Sequence, residues 1–259
     1  MSDLVWRDLG GSGDPFLLVH GYTGSSDDFV HVVEPLTELR RILVVDLYGH
    51  GRSPRLPSYS VKEMTAGVEQ FVDEVVGEPV DLLGHSMGGR VCLPIPIERP
   101  ELVRSLVMMD TFGDDLDREH WPDDFVALIK APDPEAIAAL PEYEGPPSPE
   151  TAMIEAVWGA DWVAAHEEFN GQVDPLAVVH LGRELFGSME SLLGPAAGIS
   201  CPTTVVVGEL DEPFRGPSDR LAAAIPDAEL VVIAGAYHSP QLTHPAEWRA
   251  AIMGHLARG

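Results

Sequence analysis

Cysteine and basic charge are scarce in this chain of 259 residues. Two cysteines, Cys92 and Cys201, are too few for a disulfide framework and do not make a metal-ligand cluster. The 16 Lys+Arg residues face 42 Asp+Glu, a net charge of −26, and Lys62 and Lys130 are the only lysines. Nucleic acid and anionic membrane surfaces need clustered positive charge to neutralise phosphate, so neither is expected as a partner. Long apolar runs are missing too: none approaches the ~18 residues of a membrane span. Met1-Ser2-Asp3-Leu4 has no basic start and no apolar core, which speaks against a secretory leader. The expectation is a cytoplasmic protein, monomeric or homodimeric. With 45% hydrophobic and 22% charged residues it can bury a sizeable core, and its length suits one α/β domain carrying an insertion.

What the chain does have is a rhythm. Short runs rich in Val, Ile and Leu (Phe16 to Val19, Ile42 to Val45, Val80 to Leu83, Leu106 to Met109, Thr203 to Val207, Leu230 to Ile233) alternate with amphipathic stretches. The runs are apolar throughout instead of alternating, as in strands of a parallel sheet covered on both faces. Ser60-Val61-Lys62-Glu63 fits a capping box, and Pro245 suits the first turn of a helix running towards His255. The fold class is therefore α/β, a doubly wound, mostly parallel sheet. Between Gly113 and Pro195 the rhythm stops. That stretch holds a proline cluster, three tryptophans and no convincing strand, and it reads as a helical cap (113–195) inserted into a core of 1–112 and 196–259.

Chemistry concentrates at strand ends. Gly84-His85-Ser86-Met87-Gly88 follows a strand and precedes a helix-compatible stretch, the context in which Gly-x-Ser-x-Gly has mechanical meaning. A serine on so sharp a turn needs neighbours without bulk, and the helix N-terminus then lies under any negative charge that develops beside it. A serine hydroxyl also needs a base. His238, in the loop after Leu230 to Ile233, is the candidate, and Asp211, after Thr203 to Val207, the acid that would orient it. His244 is a rival base that reads better as a cap of the final helix; Asp110, Glu209 and Glu212 are rival acids. The amide of Met87, and that of Tyr22 in His20-Gly21-Tyr22-Thr23-Gly24-Ser25, are the expected oxyanion donors. His20, His50 and His85 lie beside glycines and read as loop-holding residues. No His/Cys/Asp spacing resembles a zinc site, no glycine pattern resembles a phosphate cradle, and no cofactor is expected.

In order along the chain, His20 to Ser25, Asp46-Leu47-Tyr48-Gly49-His50-Gly51-Arg52-Ser53, Gly84 to Gly89, and the Asp211 and His238 loops resemble the α/β-hydrolase family. The family uses the order Ser86, Asp211, His238. The resemblance implies a capped enzyme, and Ser86 in place of an aspartate disfavours haloalkane dehalogenase and epoxide hydrolase chemistry. Three serine-using branches stay open: carboxylesterases, C–C bond hydrolases of ring-fission products, and a menaquinone-pathway synthase-like lyase. The lyase substrate carries several carboxylates, yet residues 113–195 hold 18 Asp+Glu against Arg118, Lys130 and Arg183. The C–C hydrolases usually follow the catalytic histidine with Trp, where this chain has Ser239. The reading is a serine carboxylesterase whose partner is a small-molecule ester, neutral and small or aromatic; a non-catalytic receptor on the same fold is the alternative of a different class. Trp121, Phe125, Trp158, Trp162, Phe186 and Met189 could line its pocket, though packing of the cap onto itself is the better reading for each.

Overall fold

A computed structural model describes residues 2–116, 123–140, 147–187 and 189–258. Seven strands form one sheet: β1 (Trp6–Asp8), β2 (Pro15–Val19), β3 (Arg41–Val45), β4 (Val80–His85), β5 (Val103–Met109), β6 (Thr203–Gly208) and β7 (Glu229–Ile233), in the order β1-β3-β2-β4-β5-β6-β7. All neighbouring pairs are parallel except β1 with β3. β1 went unread in the sequence because three residues, two of them charged, are too short to show a period.

The apolar runs owe their continuity to two cores. Leu17, Val19, Leu43, Leu82, Met108 and Val205 point to one face; Phe16, Leu18, Val44, Leu83, Val107 and Val206 point to the other. The side-chain period of two is intact, but both phases are buried. β7 departs from the expectation: at the sheet edge, Leu230 and Val232 remain 37% and 38% exposed while Ile233 is buried. Leu230 and Val232 share the face of this edge strand that stays partly uncovered, while Val231 and Ile233 face the second core.

Helices fill the connections. Val61–Phe71 starts at Ser60, whose Oγ accepts from the Glu63 amide at 3.1 Å, and Pro245–Leu256 closes the chain. Between β5 and β6 the described residues form no strand; the helices there include Asp123–Lys130, Pro149–Trp158, Ala160–Asn170 and Pro175–Leu185. None of the helices among the described residues is long and apolar enough to cross a membrane. The order reverses direction at β2, which has β3 on one side and β4 on the other, and it is outside the C-terminal ends of such strands that a crevice opens.

Candidate active site

Ser86 follows β4 with φ 54° and ψ −117°, a conformation that costs a residue bearing a Cβ about 1–3 kcal/mol. The surrounding backbone permits it only where side chains are missing. A Cβ on Gly84 would lie 2.5 Å from the Gly88 carbonyl oxygen, and one on Gly88 would lie 2.5 Å from the carbonyl oxygens of Val19 and His20. The Ser86 amide donates to Met109 O at 2.8 Å and its carbonyl accepts from Thr111 Oγ1 at 2.7 Å, so the bend is pinned to the end of β5.

On that bend, Ser86 Oγ lies 2.9 Å from His238 Nε2, and His238 Nδ1 lies 2.8 Å from Asp211 Oδ2. The three residues leave the ends of β4, β6 and β7. His85 Nε2 donates to the His238 carbonyl at 2.8 Å, tying the turn that bears Ser86 to the loop that bears the imidazole. Burial pulls the His238 ring towards neutrality, but the charge and hydrogen bond of Asp211, with the charge of Glu150, outweigh it and leave its pKa above the ordinary histidine value. His85 and His50 go the other way, pushed by burial to about 4 and about 3, and stay neutral.

Gly21 runs against the serine: a Cβ there would lie 3.1 Å from Ser86 Cβ. Neither the Tyr22 amide that follows nor the Met87 amide donates to a partner among the described residues. The Tyr22 side chain turns away, its hydroxyl donating to Val178 O at 2.6 Å. His20 holds loops: Nδ1 donates to Gly21 O at 2.8 Å and Nε2 accepts from the Leu47 amide at 2.9 Å. Asp46 anchors the next loop, accepting from the amides of Ser26 and Arg52 at 2.8 and 2.9 Å.

The rivals fall elsewhere. Glu209 accepts from the Gly235 amide at 2.8 Å, and Glu212 begins the helix Glu212–Ala224. His244 does stand at the N-cap of Pro245–Leu256, but its side chain caps nothing and instead meets Thr243 Oγ1 at 3.0 Å. Asp110 comes close. Its φ is 44°, it is fully buried, and Oδ1 accepts from the Gly208 amide at 2.8 Å. Asp110, Asp211 and His238 each offer an atom within 4.8 Å of the others, the one such group among the described residues that could hold a metal ion. An ion there would have to replace the hydrogen bond between Asp211 and His238.

A cavity of about 520 Å³ opens onto Ser86 and His238, within the usual range for small-molecule sites. Leu128, Ile137, Ile154, Val178 and Leu242 make its apolar wall. The opposite chemistry went unseen in the sequence: Asp28, His166 and Asn170 also line it, with His166 Nε2 and Asn170 Nδ2 each 3.1 Å from Asp28 Oδ1. Burial raises the Asp28 carboxyl, yet the bond and charge of His166 overcome this and hold it below the usual range. Trp158, Trp162, Phe186 and Met189 are not among the lining residues. Trp158 and Trp162 pack on each other, with ring centres 5.3 Å apart, and Phe186 meets Tyr22 edge-on. Trp121 and the side chain of Phe125 lie outside the described residues.

The bend, the acid and the imidazole stand at the ends of the parallel strands β4, β6 and β7, and a model of the alpha/beta hydrolase family matches residues 16–251. The chain belongs to the alpha/beta hydrolase family. It is 27% identical over 252 residues to the dihydrolipoyllysine-residue acetyltransferase component of an acetoin cleaving system from Cupriavidus necator, with 95% of this chain covered but only 64% of that protein's length. It is 27% identical over 270 residues to the pimeloyl-[acyl-carrier protein] methyl ester esterase of Yersinia pseudotuberculosis serotype IB, covering 98% of this chain and 97% of the relative. The solved structure of MenH from S. aureus superposes with a TM-score of 0.79 at 19% identity over 100% of this chain and 99% of that one, a likeness of fold.

Proposed function

We propose that this alpha/beta hydrolase is a serine carboxylesterase that acts on neutral, small or aromatic esters through an acyl-enzyme. The observation that carries the reading is the unbroken relay from Ser86 Oγ to His238 Nε2 and from His238 Nδ1 to Asp211, at 2.9 and 2.8 Å. His238 takes the Ser86 proton as the hydroxyl attacks the ester carbonyl, and Asp211 holds the ring in the tautomer that leaves Nε2 free to accept. The amides of Tyr22 and Met87 stabilise the oxyanion. The alcohol leaves with the proton from His238; water, activated by the same ring, then releases the acid. No step calls for a metal or an organic cofactor.

The helices between β5 and β6 act as a cap, the reading of 113–195, since Leu128, Ile137, Ile154 and Val178 of the cavity wall belong to them. The relative with methyl ester esterase activity in its name supports an ester as the substrate class. Incubation with a fluorophosphonate probe and turnover of p-nitrophenyl acetate test the proposal together. Ser86→Ala should abolish labelling and lower kcat by at least about 10⁴-fold while leaving the circular dichroism spectrum unchanged. Wild-type turnover by that variant refutes the nucleophile, and failure of the wild-type protein to label favours a receptor.

A further inference from the structure

We infer that Glu150 is a positioning residue for this reaction: from the first turn of the helix Pro149–Trp158 it anchors the backbone carrying His238 and adds a second negative charge beside the imidazolium that forms when Ser86 gives up its proton. The inference rests on the serine hydrolase reading and adds to it a residue outside the three strand ends.

The contact is direct. Glu150 Oε1 accepts from the Ser239 amide at 2.5 Å, one residue past the base. At the other end of the same helix, Trp158 Nε1 donates to the Leu242 carbonyl at 2.8 Å. One helix of ten residues thus grips the 239–242 segment at two points, and its start is fixed by Ser148, whose Oγ accepts from the Thr151 amide at 3.0 Å.

The groups facing His238 define what Glu150 contributes. Asp211 meets Nδ1, Asp110 approaches from the end of β5, and the His85 ring lies 5.0 Å away, centre to centre. The Phe214 ring, at 4.3 Å, closes one face without charge. Burial lowers the His85 pKa to about 4, and burial with the neighbouring Asp211 charge raises that of Asp110 well above the carboxylate range, so both shifts oppose the charged form. Negative charge beside the ring therefore comes from Asp211 and from Glu150. The pull is mutual: burial raises the Glu150 pKa, and the nearby His238 and the Ser239 amide offset part of that rise, leaving it above the ordinary glutamate value. Ion pairing of this kind favours the protonated ring, the form that exists in the oxyanion intermediate, and that contribution is complete only while the cap helix is seated.

Glu150→Gln keeps the oxygen acceptor and removes the charge; Glu150→Ala removes both. The measurements are pH profiles of kcat and KM for p-nitrophenyl acetate and the NMR titration of the His238 ring in the full chain. With Gln, the acid limb of kcat/KM and the ring titration should both move to lower pH. With Ala, kcat on the plateau should also fall about tenfold at little-changed KM, the loss expected for one hydrogen bond to a charged group. Profiles and titration for Gln that superimpose on wild type overturn the inference, whether or not the Ala variant folds. An Ala variant with raised KM and wild-type kcat overturns it as well, leaving Glu150 with an effect on substrate binding alone. The ring titration needs no substrate, so it reports on Glu150 even if the wild-type protein proves to hydrolyse no ester.

Discussion

The carboxyl of Asp110 lies against that of Asp211 beneath His238, with an oxygen of each within 4.8 Å of the other and of a ring nitrogen. Asp110 is buried and its Oδ2 has no partner among the described residues unless it carries a proton. Burial first, and then the charge of Asp211, push the Asp110 pKa well above the carboxylate range, and the closeness of the two carboxyls adds to the shift by favouring a proton shared between them. Two carboxyls in one buried site cannot both ionise, so one serves as the charged partner of the ring and the other as a neutral donor.

This division separates two substitutions of the same kind. Asp211→Asn removes the charge beside the ring and presents an amide that can favour the wrong tautomer, and kcat should fall by about 10⁴-fold. Asp110→Asn replaces a group already neutral and should keep activity within about tenfold of wild type, as measured by kcat on one ester. Equal losses for the two variants would reassign the acid.

Asp110 also leaves a signature in stability. In the unfolded chain it ionises near ~3.9, whereas the folded protein retains the proton to higher pH. Over that window the native state binds more protons, so stability declines as pH rises from about 4 through the folded pKa, by at most ~1.4 kcal/mol per pH unit. Asp110→Asn lacks this decline. Its Tm relative to wild type should therefore climb between pH 4 and neutrality; a constant difference contradicts a protonated Asp110.

The apolar runs and the Gly-x-Ser-x-Gly bend could be read from sequence because each leaves a local trace: two buried phases on one strand, and glycines wherever a Cβ would strike backbone. Ser86, His238 and Asp211 stood out because each follows a strand. Choosing among Asp110, Asp211, Glu209 and Glu212 was not a local question, since it depends on which loop points its acid at a ring 27 residues away from Asp211. Glu150 and the Asp28, His166 and Asn170 wall left no trace at all. They act across the joint between the helical segment and the sheet, and nothing in their own neighbourhoods encodes that joint.

Rate should follow the titration of His238. The ring must be neutral to accept the Ser86 proton, and its pKa is raised above the usual histidine value of ~6.5. As pH falls through that raised pKa, kcat/KM should drop tenfold per unit, and the midpoint should lie above ~6.5. A profile flat from pH 5 to 9 with chemistry rate-limiting would contradict His238 as base.

The bend can be tested away from the reacting groups. A methyl group on Gly88 would lie 2.5 Å from the carbonyl oxygens of Val19 and His20, backbone atoms in and just after a central strand that cannot turn aside. Gly88→Ala should destabilise the fold by about 1–3 kcal/mol, seen as a lowered urea midpoint. It should also lower kcat, because relief requires moving the turn that holds Ser86 and the Met87 amide. Wild-type values for both would show that the turn tolerates bulk.

Substrate charge should govern the rate. The cavity is lined by Asp28 and Glu167 and, among the described residues, by no lysine or arginine. The chain as a whole carries −26. An ester bearing a carboxylate meets a repulsive field on approach and no guanidinium or ammonium on arrival, whereas a neutral isostere meets neither penalty. The kcat/KM ratio of a p-nitrophenyl butyrate to a p-nitrophenyl hemisuccinate should exceed one. It should also narrow as salt rises from 0.01 to 0.15 M, over which the screening length contracts from about 30 to about 8 Å. The opposite preference would require cationic side chains in the cavity and would redirect the assignment towards substrates with carboxylates.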